Sequence, residues 1–434
     1  MQARHGRIWL AAVAVLAVFG ALGPVRAAAE ERPQPRNVVL LIGDGMGPMQ
    51  VRLAALFAYG EGGTLEFEKL PFRAHMTTDP IGKARIILGR TIKPVTDSAA
   101  AGTAMATGRK VKNGVLSAAI PGDGEPMRTV LEIFRDRGAR TGLVTTDGIC
   151  GATPAAFGAH TRSRADGSGI ARGYLTETRP NVLMGGASSW SRALAPEAVR
   201  AAGYAVVTNR REMAALEPGK DLYVSGQFGE GAMPYEYEYA EGLVKQANEE
   251  ARLAAEELAK EGLRPRVPYA PRQDYDTLPH LSEMAGKALE LLDNPKGLFL
   301  MIESATIDHA CHKHQLYQYV HEVLEFEKTF RVVWEWARGR TDTLVLVTAD
   351  HETGGLGLVR GWGKSNLAIV DWKTWGHTGT PVPVYGWGAG AERVAGMMDN
   401  TDLFEVMTGL PKPPPPKDDA AGVRVPAGAL YPGD

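Results

Sequence analysis

The sequence predicts an α/β protein with a mostly parallel central sheet flanked by helices on both faces. Four unbroken apolar runs, Asn37–Ile42 (NVVLLI), Thr141–Thr146 (TGLVTT), Gly297–Ile302 (GLFLMI) and Thr343–Thr348 (TLVLVT), have strand length and lack the polar alternation of a half-exposed sheet. Strands buried on both faces read this way. Helical patterns at Thr129–Asp136, Ser282–Leu292 and Tyr317–Ala337 separate them, and strands alternating with helices specify parallel pairing. With 434 residues, 44% hydrophobic and 23% charged, the chain suffices for one large domain with insertions and is not composed like a disordered protein.

The first element is not part of the fold. Arg4, His5 and Arg7 precede an apolar run, Ile8 to Leu22, followed by Pro24 and the small residues Ala27, Ala28 and Ala29. This is the pattern of a secretory signal peptide over residues 1–27, with an apolar run shorter than the roughly 20 residues of a membrane span. The expected location is periplasmic or secreted, with no stable membrane association after cleavage. Cleavage removes three arginines and takes the formal net charge from -2 to -5. Neither value, nor any basic block, suits a nucleic-acid partner.

The domain expected to carry the chemistry spans residues 37–410. Within it, residues 165–279 have few long apolar runs, the YEYEY stretch at Tyr235–Tyr239 and an acidic-basic helical pattern from Ala240 to Glu261. They read as an inserted cap near the site, with an ordinary surface excursion as the alternative. Residues 411–434 are rich in proline and small residues and read as an extended tail. The two cysteines, Cys150 and Cys311, leave three readings open: inert buried thiols, a disulfide, or metal contact.

Polar residues follow the predicted strands: Asp44 the first, Thr153 the second, Glu303 the third, Asp350 the fourth. Ligands of open α/β sheets bind beyond the carboxyl ends of the strands, so four oxygen donors are expected at one edge. Asp44 sits in a glycine turn, LLIGDGMG. Ser98 opens an alanine-rich helical stretch after Asp97. By pattern alone such a serine is a helix cap, yet a helix N-terminus also favours phosphate and a developing alkoxide. Asp308 and His312 lie four apart, on one face if their segment is helical, and both are zinc-ligand types. Asp350 and His351 end a strand. His377 gains weight only from this company.

In chain order, the segments GDGMG, TDSAAAGTA, ATPAAFGAHTRSR, ESATIDHACH, TADHE and HTG resemble the motifs of the alkaline phosphatases, from Asn37 to about Trp387. That resemblance implies an exported phosphomonoesterase, commonly a homodimer, working with two Zn2+ and one Mg2+ through a phosphoserine intermediate. It implies Asp308, His312 and His377 as ligands of one zinc. Asp350, His351 and Asp44 would hold the second, where Ser98 is the nucleophile. Asp44, Thr153 and Glu303 would hold magnesium, with Arg164 gripping phosphate and Asp97 orienting that arginine. Gly151 departs from the pattern, since relatives commonly carry aspartate or histidine there. A weaker third metal site is expected, with His309 or Cys150 as candidate compensating groups. Within the same superfamily a phosphodiesterase is the main alternative; a sulfatase lacks support because Ser98 is not in a C/S-x-P-x-R setting. A non-catalytic metal or phosphate binder is the alternative from another class.

Overall fold

The first strand, β1 (Asn37–Gly43), is buried along its whole length. It pairs in parallel on one side with β8 (Thr343–Thr348) and on the other with β7 (Leu298–Ser304). β7 continues in parallel to β3 (Arg140–Gly148). The computed structural model describes residues 34–82, 85–87, 90–187, 191–263, 277–360, 364–365 and 368–414. The signal-peptide segment, residues 1–27, and residues 415–434 of the tail lie outside them.

These four strands are the four apolar runs, and they form the middle of a ten-stranded sheet. The remaining strands are β2 (Phe72–Thr77), β4 (Val182–Ala187), β5 (Ala205–Val207), β6 (Val224–Glu230), β9 (Val382–Gly388) and β10 (Gly396–Asp399). The spatial order is β10-β2-β9-β8-β1-β7-β3-β4-β6-β5. β9 runs antiparallel to both neighbours, and the other pairings in the sheet are parallel. The mostly parallel α/β architecture is therefore present.

Helices cover both faces. Along β7, Phe299 lies against Phe134 of α3 (Val130–Asp136) and Phe157 of α4 (Ala152–Gly158). The next residue, Leu300, points the other way, to the face where Gly142 leaves room for Leu292 of α6 (Leu281–Leu292): a Cβ on Gly142 would meet both leucines. Successive strand residues face opposite sides, so α3 and α4 cover one face and α6 the other. The long helix α8 (Leu316–Ala337) packs on α6 and on α1 (Pro48–Tyr59). Each fully buried aliphatic side chain contributes roughly 1.5–3 kcal/mol, and Val38 to Ile42 alone supply five in a row with no exposure.

Residues 165–279 depart from the expected insert. Three of the sheet strands, β4, β6 and β5, come from this stretch and extend the sheet beyond β3. Short helices at Gly167–Arg172, Pro196–Ala201 and Arg210–Ala214 connect these strands, and the later part is helical, with Glu236–Ala240 followed by α5 (Leu243–Lys260). Much of the segment is thus continuation of the sheet rather than a separate cap laid on it.

Candidate active site

The sheet register aligns the site. Thr348, Ile42, Glu303 and Thr145 stand side by side across β8, β1, β7 and β3. Asp350 and Asp44, each two residues further on, therefore pass the same edge. Glu303 is not beyond its strand, as the sequence suggested, but in its last two residues. Gly45 has φ +71°, and a Cβ there would meet Asp308 Oδ1 and Thr353 Oγ1 at 2.8 Å. Glycine is required at that turn by both the left-handed backbone and the close approach of α7 (Thr306–His312).

Two sets of donors converge. In the first, Asp308 and His312 project from one face of α7, with His312 Nε2 at 3.3 Å from Asp308 Oδ2. His377 Nε2 lies 3.6 Å from Asp308 Oδ1 and 3.0 Å from His312 Nε2. The Nδ1 atoms of His312 and His377 face backbone carbonyls, those of Trp375 and Thr96, the latter at 2.8 Å. A carbonyl only accepts, so Nδ1 carries the proton in each ring and the Nε2 lone pair is turned toward Asp308. In the second set, His351 Nε2 lies 3.5 Å from Asp44 Oδ1, 3.3 Å from Asp350 Oδ2 and 3.2 Å from Ser98 Oγ. Asp350 Oδ1 accepts from the backbone N–H groups of Gly45 and His351. Its other oxygen, and Asp44 Oδ1, find no hydrogen-bond donor among the described residues.

These are carboxylates and imidazoles crowded together, buried and facing one another. That arrangement is costly unless a cation lies among them. The residue groups Asp308–His351–His377 and Asp44–Asp350–His351 each bring ligand atoms within 4.8 Å of one another, and N/O donor sets of this kind suit zinc. The residues present therefore fit divalent metal ions. A further grouping, Glu236, His280 and Glu325, is satisfied internally, with His280 Nδ1 at 2.9 Å from Glu236 and Glu325 accepting from the Ser282 backbone.

The electrostatics agree. Burial, reinforced by Asp350, Asp308 and Glu303, pushes the Asp44 carboxyl well above the usual range. Burial and then the Asp308 charge push Asp350 up to about 6. Burial pushes Glu303 up to about 8, against the hydrogen bond from Thr145 and with the Asp147 charge adding to it. Burial, then His377, holds His351 well below the usual imidazole range, so it stays neutral. Asp308 resists its own burial: the adjoining imidazoles, His312 first and then His377, hold its carboxyl below the usual range.

Ser98 is the first residue of α2 (Ser98–Thr107) and is buried. It is not the cap. Asp97 is, with Oδ1 accepting from the Ala100 backbone at 2.9 Å, and Oδ2 accepting from Gly114 N at 2.8 Å and facing Arg164 Nη1 at 3.4 Å. Ser98 Oγ is thus free of the capping duty that the pattern assigned to it. Thr153 is the second residue of α4, and its hydroxyl lowers the pKa of Glu303. Asp44, Asp97, Ser98, Glu303, Asp308, His312, Asp350, His351 and His377 thus gather at this edge, with Arg164 joined through Asp97 and Thr153 acting on Glu303. Sequence reading missed Thr353, whose hydroxyl donates to Asp308 and lies 3.3 Å from His351 Nδ1, and the carbonyls of Thr96 and Trp375 that orient the imidazoles. Thr353 sits two residues beyond His351 and was detectable by position; the carbonyls carry no side-chain signal. Cys150 and Cys311 are both buried and form no disulfide, which removes the disulfide reading.

A family model described as alkaline phosphatase matches residues 35–186 and 173–369. The chain belongs to the alkaline phosphatase family. Alkaline phosphatase of Escherichia coli strain K12 is 30% identical, covering 86% of this chain and 85% of that protein. Streptomycin-6-phosphate phosphatase of Streptomyces griseus is 32% identical, over 93% of this chain and 96% of its own. Among solved structures, the cold-active alkaline phosphatase of a psychrophilic Shewanella superposes with a TM-score of 0.68 at 25% identity, covering 86% of this chain and 98% of that one. The Thermus thermophilus alkaline phosphatase gives a TM-score of 0.69 at 22% identity, over 91% and 96%. Membership makes this protein a phosphatase of the alkaline phosphatase family.

Proposed function

We propose that the protein hydrolyses phosphate monoesters through a phosphorylated Ser98. The observation that carries this is Ser98 itself: a buried serine at a helix N-terminus, its Oγ 3.2 Å from His351 Nε2, beside an arginine held by Asp97. Arg164 grips two phosphate oxygens in its planar fork, and the N–H groups at the start of α2 favour the same anion. Ser98 Oγ attacks phosphorus opposite the ester oxygen; the O–P bond to serine forms as the ester bond breaks, and the alcohol leaves with a proton. Water then replaces serine on phosphorus, releasing phosphate and restoring the hydroxyl. Asp308, His312 and His377 would hold one zinc, Asp44, Asp350 and His351 a second, and Asp44, Thr153 and Glu303 a magnesium. Bound there, these ions supply Lewis-acid stabilisation and lower the pKa of a coordinated water towards about 7, so activity is expected to rise above neutral pH. The chain's leading segment supports export, and the working form is proposed to be a homodimer.

Turnover of p-nitrophenyl phosphate, bis-p-nitrophenyl phosphate and streptomycin 6-phosphate by zinc- and magnesium-loaded enzyme tests the reading. Strong cleavage of the monoester over the diester is expected. Preference for the diester would instead establish the phosphodiesterase alternative, and inactivity on all three would leave a binding protein. The antibiotic ester is included because of the Streptomyces griseus relative. Arg164→Ala should weaken inhibition by inorganic phosphate about 10- to 100-fold, the equivalent of one charge-assisted hydrogen-bonded pair. Arg164→Lys should recover little, since an ammonium lacks the fork. Phosphate inhibition unchanged in Arg164→Ala would remove this arginine from the site.

A further inference from the structure

Position 151 opens α4, two residues before Thr153, and glycine occupies it. Its backbone, at φ -53° and ψ 156°, is open to any residue, so conformational freedom does not explain the glycine. Space does. A Cβ built on Gly151 would overlap Asp147 Oδ2 and stand 3.0 Å from Asp147 Cγ. The carboxylate of Asp147, from the end of β3, fills the volume that a side chain at position 151 would take. A tight turn with Gly151 N donating to Gly148 O at 2.7 Å brings the two positions together.

Asp147 is also tied to the residues proposed for magnesium. Its backbone N–H donates to Thr145 Oγ1 at 2.9 Å, and the same hydroxyl donates to Glu303 Oε2. The Asp147 charge acts directly on buried Glu303. The Asp147 carboxylate thus lies against Gly151, two residues before Thr153, and its backbone is tied through Thr145 to Glu303; hard oxygen donors such as these suit magnesium. By contrast, Cys150 is a buried thiol, a ligand type that magnesium disfavours.

We propose that Asp147 supplies the third cation with an acidic group and that Gly151 is present to make room for it. This inference rests on the third-cation reading given under Proposed function. The test is metal content by mass spectrometry, and Mg2+ titration calorimetry, on zinc-loaded protein. Wild type is expected to bind Mg2+ in addition to two zinc ions. Asp147→Asn, nearly isosteric, should keep both zinc ions and bind Mg2+ about 10- to 100-fold more weakly, as loss of an outer metal partner does. Gly151→Ala should also weaken Mg2+ binding, by displacing the carboxylate without removing any charge. The double variant Asp147→Ala/Gly151→Asp should return Mg2+ affinity to near the wild-type value, because the acid re-enters the same volume; a merely structural Asp147 would not be rescued this way. Wild-type Mg2+ affinity in Asp147→Asn overturns the proposal and leaves the third site standing. If wild type takes up zinc and no Mg2+, the third-cation reading fails, and this inference with it.

Discussion

Replacing Ser98 with alanine is expected to lower turnover of an aryl phosphate at least ~10³-fold while zinc content and thermal stability stay near wild type. Removing a nucleophile costs orders of magnitude, and the remaining electrostatics leave a residual rate. The fold should not suffer. Ser98 is at the first helical position of α2, and the cap is Asp97, whose bond to Ala100 N remains. Alanine is the best helix former, and three alanines already follow at positions 99 to 101. Acid-quenched wild type incubated with radiolabelled substrate should carry phosphate on the Ser98 peptide, and the variant should carry none. A variant that retains a tenth of wild-type activity with both zinc ions bound would rule out Ser98 as the nucleophile.

The middle of the sheet was readable because burial on both faces leaves a plain signature. β1, β3, β7 and β8 appear as continuous apolar runs, and the helices between them fall within a residue or so of their patterns, with Thr129 as the cap of α3. The strands nearer the edges were not readable. β4 carries two glycines before its last residue and β6 contains two more, β5 has three residues, and short, glycine-bearing strands lack both the length and the periodicity that a sequence reading needs. That is why residues 165–279 looked like an insertion although much of the segment completes the sheet.

The site divides along a similar line. Asp44, Asp350 and Glu303 were legible because their strands were, and Asp308 and His312 because a spacing of four on a helix sets both on one face. Ser98 was ambiguous in sequence, since serine is both a common cap and a nucleophile, and only the bond from Ala100 N to Asp97 separates the two. Asp147 had no signal. Its relevance lies in the volume it takes from Gly151 and in a hydroxyl it shares with Glu303, and neither is a property of the linear chain.

Stripping the metals should destabilise the protein in a pH-dependent way. In the metal-free chain the carboxyls of Asp44, Asp350 and Glu303 titrate above their ordinary values, Asp350 at about 6 and Glu303 at about 8. The folded state then holds more protons than the unfolded state above roughly pH 4, so metal-free stability falls as pH rises through about 6 and on through about 8. With metals bound, the same groups are ionised in the folded state and their stabilisation is present above the unfolded carboxylate values; it is lost on acidification, when protons compete for the ligands. The two curves therefore diverge upward in pH. A site held at a thousand times its dissociation constant contributes about 4 kcal/mol, so two or three sites give an expected Tm difference on the order of 10 °C or more near pH 9 and a much smaller one near pH 5. Thermal unfolding with and without a chelator, from pH 5 to 9.5, measures this directly. A difference that is constant across that range, or absent, would mean that the buried carboxylates are not the metal ligands and that their charge is balanced by protons alone.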